Sequence, residues 1–395
     1  WGTFSYALGI AAFLTVFTDI GVNAYITREI ARGTGLEKQY LGAAFAIKLI
    51  LIMIVCGIAL LSLPWLSIDD QSKILIPILL LVFIVDTIRD LGTALSRALE
   101  RMEIEAGVGV CTNFAIAILG FIFLNTFHST VALAYAYAIG SGLGLILMVV
   151  IFRSYLNDMR RMIQLQLAPE ILRTAWPFGL LGIMGAVMLN SDIIIIGWLK
   201  TAVDVGYYAA AQKIILLAYV LPGMVATSVF PVTSRLVNSD PEKAKRVLEH
   251  STTLMLIIAI PLAIATLLLA PWIMQLLFGT VYLPSVATLR ILALTILIVF
   301  PSTILGNALF AYGHEKSLAT FVFASIAANI IFDIILIPQF GIEGAAVATL
   351  ITQLISNTWL YITIKKVNNM KIIPQLKNYL SLAWTKVAFK NREKL

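Results

Sequence analysis

Runs of about twenty apolar residues recur along the whole of this 395-residue chain, and no other feature limits its fold so tightly. Each run is long enough to cross a hydrocarbon core of roughly 30 Å as a helix. A helix satisfies its own backbone polar groups there, where water cannot. Charged residues make up only 12% of the chain, against about a quarter in soluble domains. The chain therefore reads as an all-α, multi-pass membrane protein. Apolar windows predict eleven visible spans, near 3–27, 40–63, 74–96, 107–125, 131–152, 175–199, 205–236, 252–278, 285–312, 317–337 and 341–364. Cys56 and Cys111 fall inside such runs, which suits small buried side chains better than a disulfide or a metal pair.

Basic residues orient the spans. The loops after spans one, three, five, seven and nine hold Arg28, Arg32 and Lys38; Arg97 and Arg101; Arg153, Arg160, Arg161 and Arg173; Arg235, Lys243, Lys245 and Arg246; and Lys316. The tail from Lys365 is basic as well, whereas the opposite loops hold only Lys73 and Lys200. This asymmetry puts the first set, with the C-terminus, in the cytoplasm. Residue 1 is Trp, so one further helix ahead of it is expected, for a core of twelve. The tail repeats Ile372, Leu376, Leu380 and Trp384 at every fourth position. It reads as a helix on the cytoplasmic surface or as the start of a further span.

A polar stretch divides the chain into an N-terminal lobe (1–152), an amphipathic linker (153–174), a C-terminal lobe (175–364) and a basic tail (365–395). WGTFSYA from Trp1 resembles VGYYAAA from Val205, and ALERMEIEA from Ala98 resembles ALFAYGHEK from Ala308. Order and spacing together suggest a duplicated six-helix unit, an arrangement common in transporters. Prolines gather in the second half, at Pro177, Pro222, Pro231, Pro261, Pro271 and Pro301 within spans, where helices bend.

Ionisable groups at membrane depth are expensive and are candidates for function. In the first half these are Asp19, Lys48 and the set Asp86, Arg89 and Asp90, whose spacing favours neutralisation on one helix. In the second half, Asp192, Asn329, Asp333 and Thr349 fall at one depth toward the outer leaflet. Asn329 and Asp333 share a helix face, and oxygen donors of this kind suit a hard cation. A salt bridge from Lys213 to Asp192 or Asp333 is the competing reading. Arg28, Arg32, Arg97, Arg101 and Arg235 cluster at cytoplasmic helix ends. There they either capture phosphate through bidentate donors or only set the topology.

The stretches GTFSYALGIAAFLTVFTDIGVNAYITREIAR and WPFGLLGIMGAVMLNSDIIIIGWLKTAVDVGYYAAAQKI resemble the polysaccharide-transporter branch of the multidrug/oligosaccharidyl-lipid/polysaccharide exporter superfamily. That branch contains O-antigen-type flippases and is similar to the lipid II flippases. The resemblance implies two pseudo-symmetric helical lobes around a central cavity, alternating access, lipid-linked sugars as cargo and a missing first helix. Some lipid II flippases hold sodium through an Asp, an Asn-x-x-x-Asp and a Thr, types and spacings that Asp192, Asn329, Asp333 and Thr349 match.

The expected function is a flippase, not an enzyme, moving a polyprenyl-diphosphate-linked oligosaccharide across the cell membrane for surface polysaccharide synthesis. Asp19 and Lys48 join the five arginines as candidate substrate-binding residues. No cofactor is expected beyond a coupling Na⁺ or H⁺, and no nucleic-acid partner; the chain is expected to act as a monomer. A multidrug exporter of the same fold is the alternative. A membrane sugar polymerase or ligase is disfavoured, because the outer loops are short and His128, His250 and His314 lie apart.

Overall fold

The computed structural model describes residues 2–31, 37–63, 70–155 and 165–368, and those residues are almost entirely helical. The helices are α1 (Gly2–Val16), α2 (Val22–Ala31), α3 (Glu37–Ser62), α4 (Asp70–Ala98), α5 (Met102–Phe127), α6 (Thr130–Ile151), α7 (Ala168–Leu199), α8 (Ala202–Ser239), α9 (Pro241–Phe278), α10 (Ser285–Ala311) and α11 (Glu315–Asn368). Among the described residues eight helices are long and apolar enough to cross a membrane, by length and composition. α4 carries Asp86, Arg89 and Asp90 in mid-helix, yet at about 1.5 Å per residue it too is long enough to span. The chain is a multi-pass helical membrane protein.

Two breaks reconcile the helices with the predicted spans. The first span is not one helix: residues 17–21 form turns between α1 and α2, with Ile20 at φ 40° and Gly21 at φ 78°. Positive φ is strained for Ile and free for Gly, so Gly21 carries the reversal of backbone sign at little cost. α11 contains the opposite case, two predicted spans joined across a bend at Gly341 (φ 61°, ψ −137°) just after Pro338. Counting α1 and α2 as one crossing and α11 as two gives about eleven, as the sequence predicts.

Local chemistry sets the other ends. Thr201 and Asp204 form a reciprocal capping box at the start of α8: the Asp204 amide donates to Thr201 Oγ1 (3.3 Å) and the Thr201 amide to Asp204 Oδ2 (3.1 Å). Asp240 caps α9, accepting from the Lys243 amide at 3.0 Å, with Pro241 at the first helical position. His128, at φ 50°, ends α5 in a left-handed turn, and Ser129 caps α6.

The described contacts group into two compact units, Trp1–Trp198 and Leu199–Leu395. In the first unit, glycines set the helix registers. Gly140 and Gly144 of α6 lie against Ile116 and Thr112 of α5, fixing an antiparallel hairpin. On α7, Ile193 meets Gly9, Gly197 meets Tyr6 and Gly179 meets the Ile20 backbone, so α7 runs antiparallel to α1 and its continuation. These contacts place α7 in the first unit, whereas the sequence division counts 175–199 with the second lobe. In the second unit α10 is the central helix, packing on α8, α9 and α11.

Small residues carry packing here because lipid offers apolar helices no hydrophobic drive to associate. A Cβ on Gly140 would collide with the Ile116 side chain and press on its backbone, whereas one on Gly142 would meet nothing within 4 Å. Gly140→Ala is expected to cost about 1–3 kcal/mol, read as a lowered unfolding midpoint in detergent. Gly142→Ala should be neutral or slightly stabilising, because it removes backbone freedom from a helix. Equal midpoints for the two variants would refute this account of the hairpin.

Candidate functional site

Within the first unit, the break between α1 and α2 brings charge into the helix layer. Asp19 lies in the break, where its Oδ1 accepts from the Asn23 amide at 3.2 Å and so caps the start of α2. The same oxygen pairs with Lys48 Nζ of α3 at 3.0 Å. Lys48 also donates to the Thr87 carbonyl of α4 at 3.3 Å. The Thr18 and Thr87 hydroxyls meet at 3.2 Å, and Thr27 Oγ1 donates to the Ala94 carbonyl at 3.2 Å. α2, α3 and α4 are thus joined by polar contacts through an otherwise apolar interior. On α4 Arg89 pairs with Asp86 at 2.8 Å, as the three-residue spacing implies.

A cavity of about 620 Å³ opens beside this network, between α2, α4 and α5. Its wall includes Asp19, Arg89, Asp90 and Arg97. Arg97 makes a bidentate pair with Glu105 across the α4–α5 turn, Nε to Oε2 at 2.7 Å.

Three of the five arginines expected to capture phosphate, Arg28, Arg97 and Arg101, have carboxylate neighbours that the sequence reading did not supply. Arg28 pairs with Glu29 at 2.9 Å and lies over the Tyr25 ring. Arg101 pairs with Glu103 at 3.3 Å. Arg235 belongs to the second unit, exposed on α8, with its Nε 3.4 Å from the Pro231 carbonyl. Arg32 lies outside the described residues, as do 156–164 of the linker and 369–395 of the tail. Glu105 had a local signal: α4 and α5 are joined by only three residues, so positions eight apart can meet across the turn.

The second unit holds another polar layer, on the two arms of α11. Ser325 Oγ donates to Ser356 Oγ at 2.7 Å. A Cβ on Gly344 would collide with the Leu336 carbonyl, so the arms nearly touch there. Both contacts give one antiparallel register to within a residue. It sets Asn329 level with Thr352 and brings Asp333 within about two residues of the level of Thr349. Asp333 is fully buried, Asn329 and Thr352 nearly so, and Thr349 partly. Thr349 Oγ1 donates to the Ala345 carbonyl at 3.1 Å. Carboxylate, amide and hydroxyl oxygens at one level are a donor set for a hard cation. Asp192, the fourth residue of the expected set, is buried on α7 in the first unit. Among the described residues no group of three or more His, Cys, Asp or Glu side chains is placed to hold a metal ion.

Two units of apolar helices with buried charge in mid-helix define a membrane transporter fold. It is similar to the lipid II flippase MurJ in an inward closed conformation (TM-score 0.75, 16% identity, covering 92% of this chain and 85% of that one). It is also similar to an inward-facing multidrug resistance MATE family transporter of the MOP superfamily (TM-score 0.74, 15% identity, 93% and 94% covered). The chain belongs to the polysaccharide biosynthesis protein family, which matches residues 1–237, within the polysaccharide-transporter branch of that superfamily. The MatE family matches residues 177–335. A probable low-salt glycan biosynthesis flippase of Haloferax volcanii is 30% identical over 159 residues, 40% of this chain and 34% of that protein. A putative O-antigen transporter of Shigella flexneri is 26% identical over 183 residues, 45% of this chain and 43% of that one. The chain thus spans about a third to two fifths of the length of these curated relatives.

Proposed function

We propose that the protein is a flippase that carries a polyprenyl-diphosphate-linked oligosaccharide from the inner to the outer leaflet of the cytoplasmic membrane. The reading rests chiefly on membership of the polysaccharide biosynthesis family across residues 1–237, on a fold shared with a lipid II flippase. Its work is transport and not bond chemistry. It acts as a monomer with Leu395 in the cytoplasm, an orientation supported by the lysine and arginine asymmetry.

Coupling is assigned to a cation, Na⁺ or H⁺, held by Asn329, Asp333 and Thr349. The support is their common level on α11, the burial of Asp333 and the oxygen-only donor set. When bound, the cation would neutralise a carboxylate that lipid depth makes costly. Asp192 is a separate candidate, tested by its own substitution.

The decisive experiment is deletion of the gene in its host. Loss of surface glycan, accumulation of the lipid-linked precursor in the inner leaflet and rescue by the intact gene are expected. Unchanged surface glycan would defeat the proposal. The MatE match over residues 177–335 favours a second reading, a multidrug exporter; efflux of cationic dyes by the intact protein, with no effect on glycan, would select it. In the same cells, Ser239→Cys should be labelled only after permeabilisation and Thr280→Cys from outside. The reverse pattern would overturn the orientation.

A further inference from the structure

The cavity of the first unit has a volume of about 620 Å³, within the range of small-molecule sites. Three carboxylates, those of Asp19, Asp90 and Glu105, line it together with two guanidiniums, those of Arg89 and Arg97. Asn23, Thr27 and Thr93 add an amide and two hydroxyls, and Ala24, Ala94 and Gly109 leave the wall open between them. Both guanidiniums already hold a carboxylate: Arg97 has Glu105, and Arg89 has Asp86. Lys48, the nearest ammonium, holds Asp19.

This balance discriminates between the two chemical parts of a lipid-linked oligosaccharide. A diphosphate would bring at least two negative charges to a wall whose carboxylates outnumber its guanidiniums. It would have to displace Glu105 or Asp86 in a confined space where charges are weakly screened. A sugar needs no such exchange. Its hydroxyls donate to the carboxylates and accept from guanidinium and amide N–H groups, leaving the ion pairs in place. We propose that the cavity between α2, α4 and α5 is a subsite for neutral, polyhydroxylated sugar residues of the cargo, and that the diphosphate stays outside it. The proposal rests on the flippase reading above.

The test uses the full chain in lipid nanodiscs, with Cys56 and Cys111 replaced by Ser and a reporter thiol at Thr93→Cys or Gly109→Cys. Thr93→Cys is nearly isosteric, and a Cβ at Gly109 meets no heavy atom within 4 Å, so both variants should fold. Cationic methanethiosulfonate should modify each thiol about ten-fold faster than an anionic reagent of equal size, the scale expected of local charge focusing. The host's lipid-linked oligosaccharide fraction should slow modification roughly ten-fold at nine-tenths occupancy. Sugar-free polyprenyl diphosphate should not slow it. Faster attack by the anionic reagent, equal protection by the sugar-free lipid, or no modification by any reagent would each overturn the subsite. If neither lipid protects while the cells still export glycan, the subsite fails and the flippase reading stands. If glycan export is also independent of the gene, the flippase reading fails with it.

Discussion

Asp19→Ala is expected to destabilise the protein by about 3 kcal/mol, and Lys48→Met by distinctly less. Removing one partner of a buried ion pair costs about 3–5 kcal/mol, because the other charge is left without its counterion in a poor solvent for charge. The two partners here are unequally buried: the Lys48 side chain is 2% exposed and that of Asp19 34%. Stripping Asp19 therefore strands a fully enclosed ammonium, whereas stripping Lys48 leaves a carboxylate that water still reaches. Asp90 is close enough to interact with Lys48, which argues for the lower end of the range. Asp19→Ala also removes the acceptor of the Asn23 amide at the start of α2, worth about 1 kcal/mol as a helix cap. The combination Asp19→Asn with Lys48→Met should recover most of the loss, since it removes the charge and keeps an apolar chain of similar length. Chemical denaturation in mixed micelles gives the comparison. Equal costs for the two single changes, or no recovery in the double variant, would show that the pair does not stabilise the break in this way.

That pair also shows how far the sequence could be read. Asp19 and Lys48 stood out singly, as charges in apolar runs, but their partnership links two helices and no spacing rule announces it. The triad on α4 was different, because Asp86 and Arg89 are neighbours on a helix by periodicity alone, and the structure pairs them. The break between α1 and α2 was hidden by hydropathy, which averages over it. Its local signal is the turn chemistry of Asp19, Gly21 and Asn23 inside the run. At Gly341 the two predicted spans are two helical arms that meet at a non-helical residue just after Pro338, as the sequence expects. The arginines were legible as a class, but not their carboxylate partners. Topology demands basic residues at cytoplasmic ends whatever else they do, and the fold pairs Arg28, Arg101 and Arg97 with Glu29, Glu103 and Glu105. α7 joined the first unit through contacts of Gly9, Gly179 and Gly197. These are close approaches that a missing side chain permits and that composition cannot locate.

Asp333→Asn should produce the largest functional loss of any single change, abolishing ion-dependent stabilisation while the helices still form. Asp333 is fully buried on α11, one helical turn after Asn329 and within about two residues of the level of Thr349. Asn keeps the shape and one acceptor oxygen, so packing should survive, but it removes the charge that makes a hard cation worth binding. A ligand at a hundred times its dissociation constant stabilises the state that binds it by about 2.7 kcal/mol. The wild-type unfolding midpoint should therefore rise with Na⁺, or as pH falls if the ion is a proton, and that of Asp333→Asn should stay flat. Thr349→Val, which removes only a hydroxyl, should weaken the response without erasing it. Asp192→Asn, measured alongside, decides whether that carboxylate takes part. Lys213, exposed on α8 of the same unit, makes the opposite forecast. If it is the counterion of Asp333, then Asp333→Asn strands an ammonium at membrane depth and destabilises the protein at every ion concentration. Adding Lys213→Met should then restore stability. A cation site predicts no such rescue, because the wild-type stabilisation would come from the ion and not from the lysine. Rescue by Lys213→Met, with a wild-type midpoint indifferent to Na⁺ and pH, would remove the cation from the mechanism and leave α11 with a structural salt bridge.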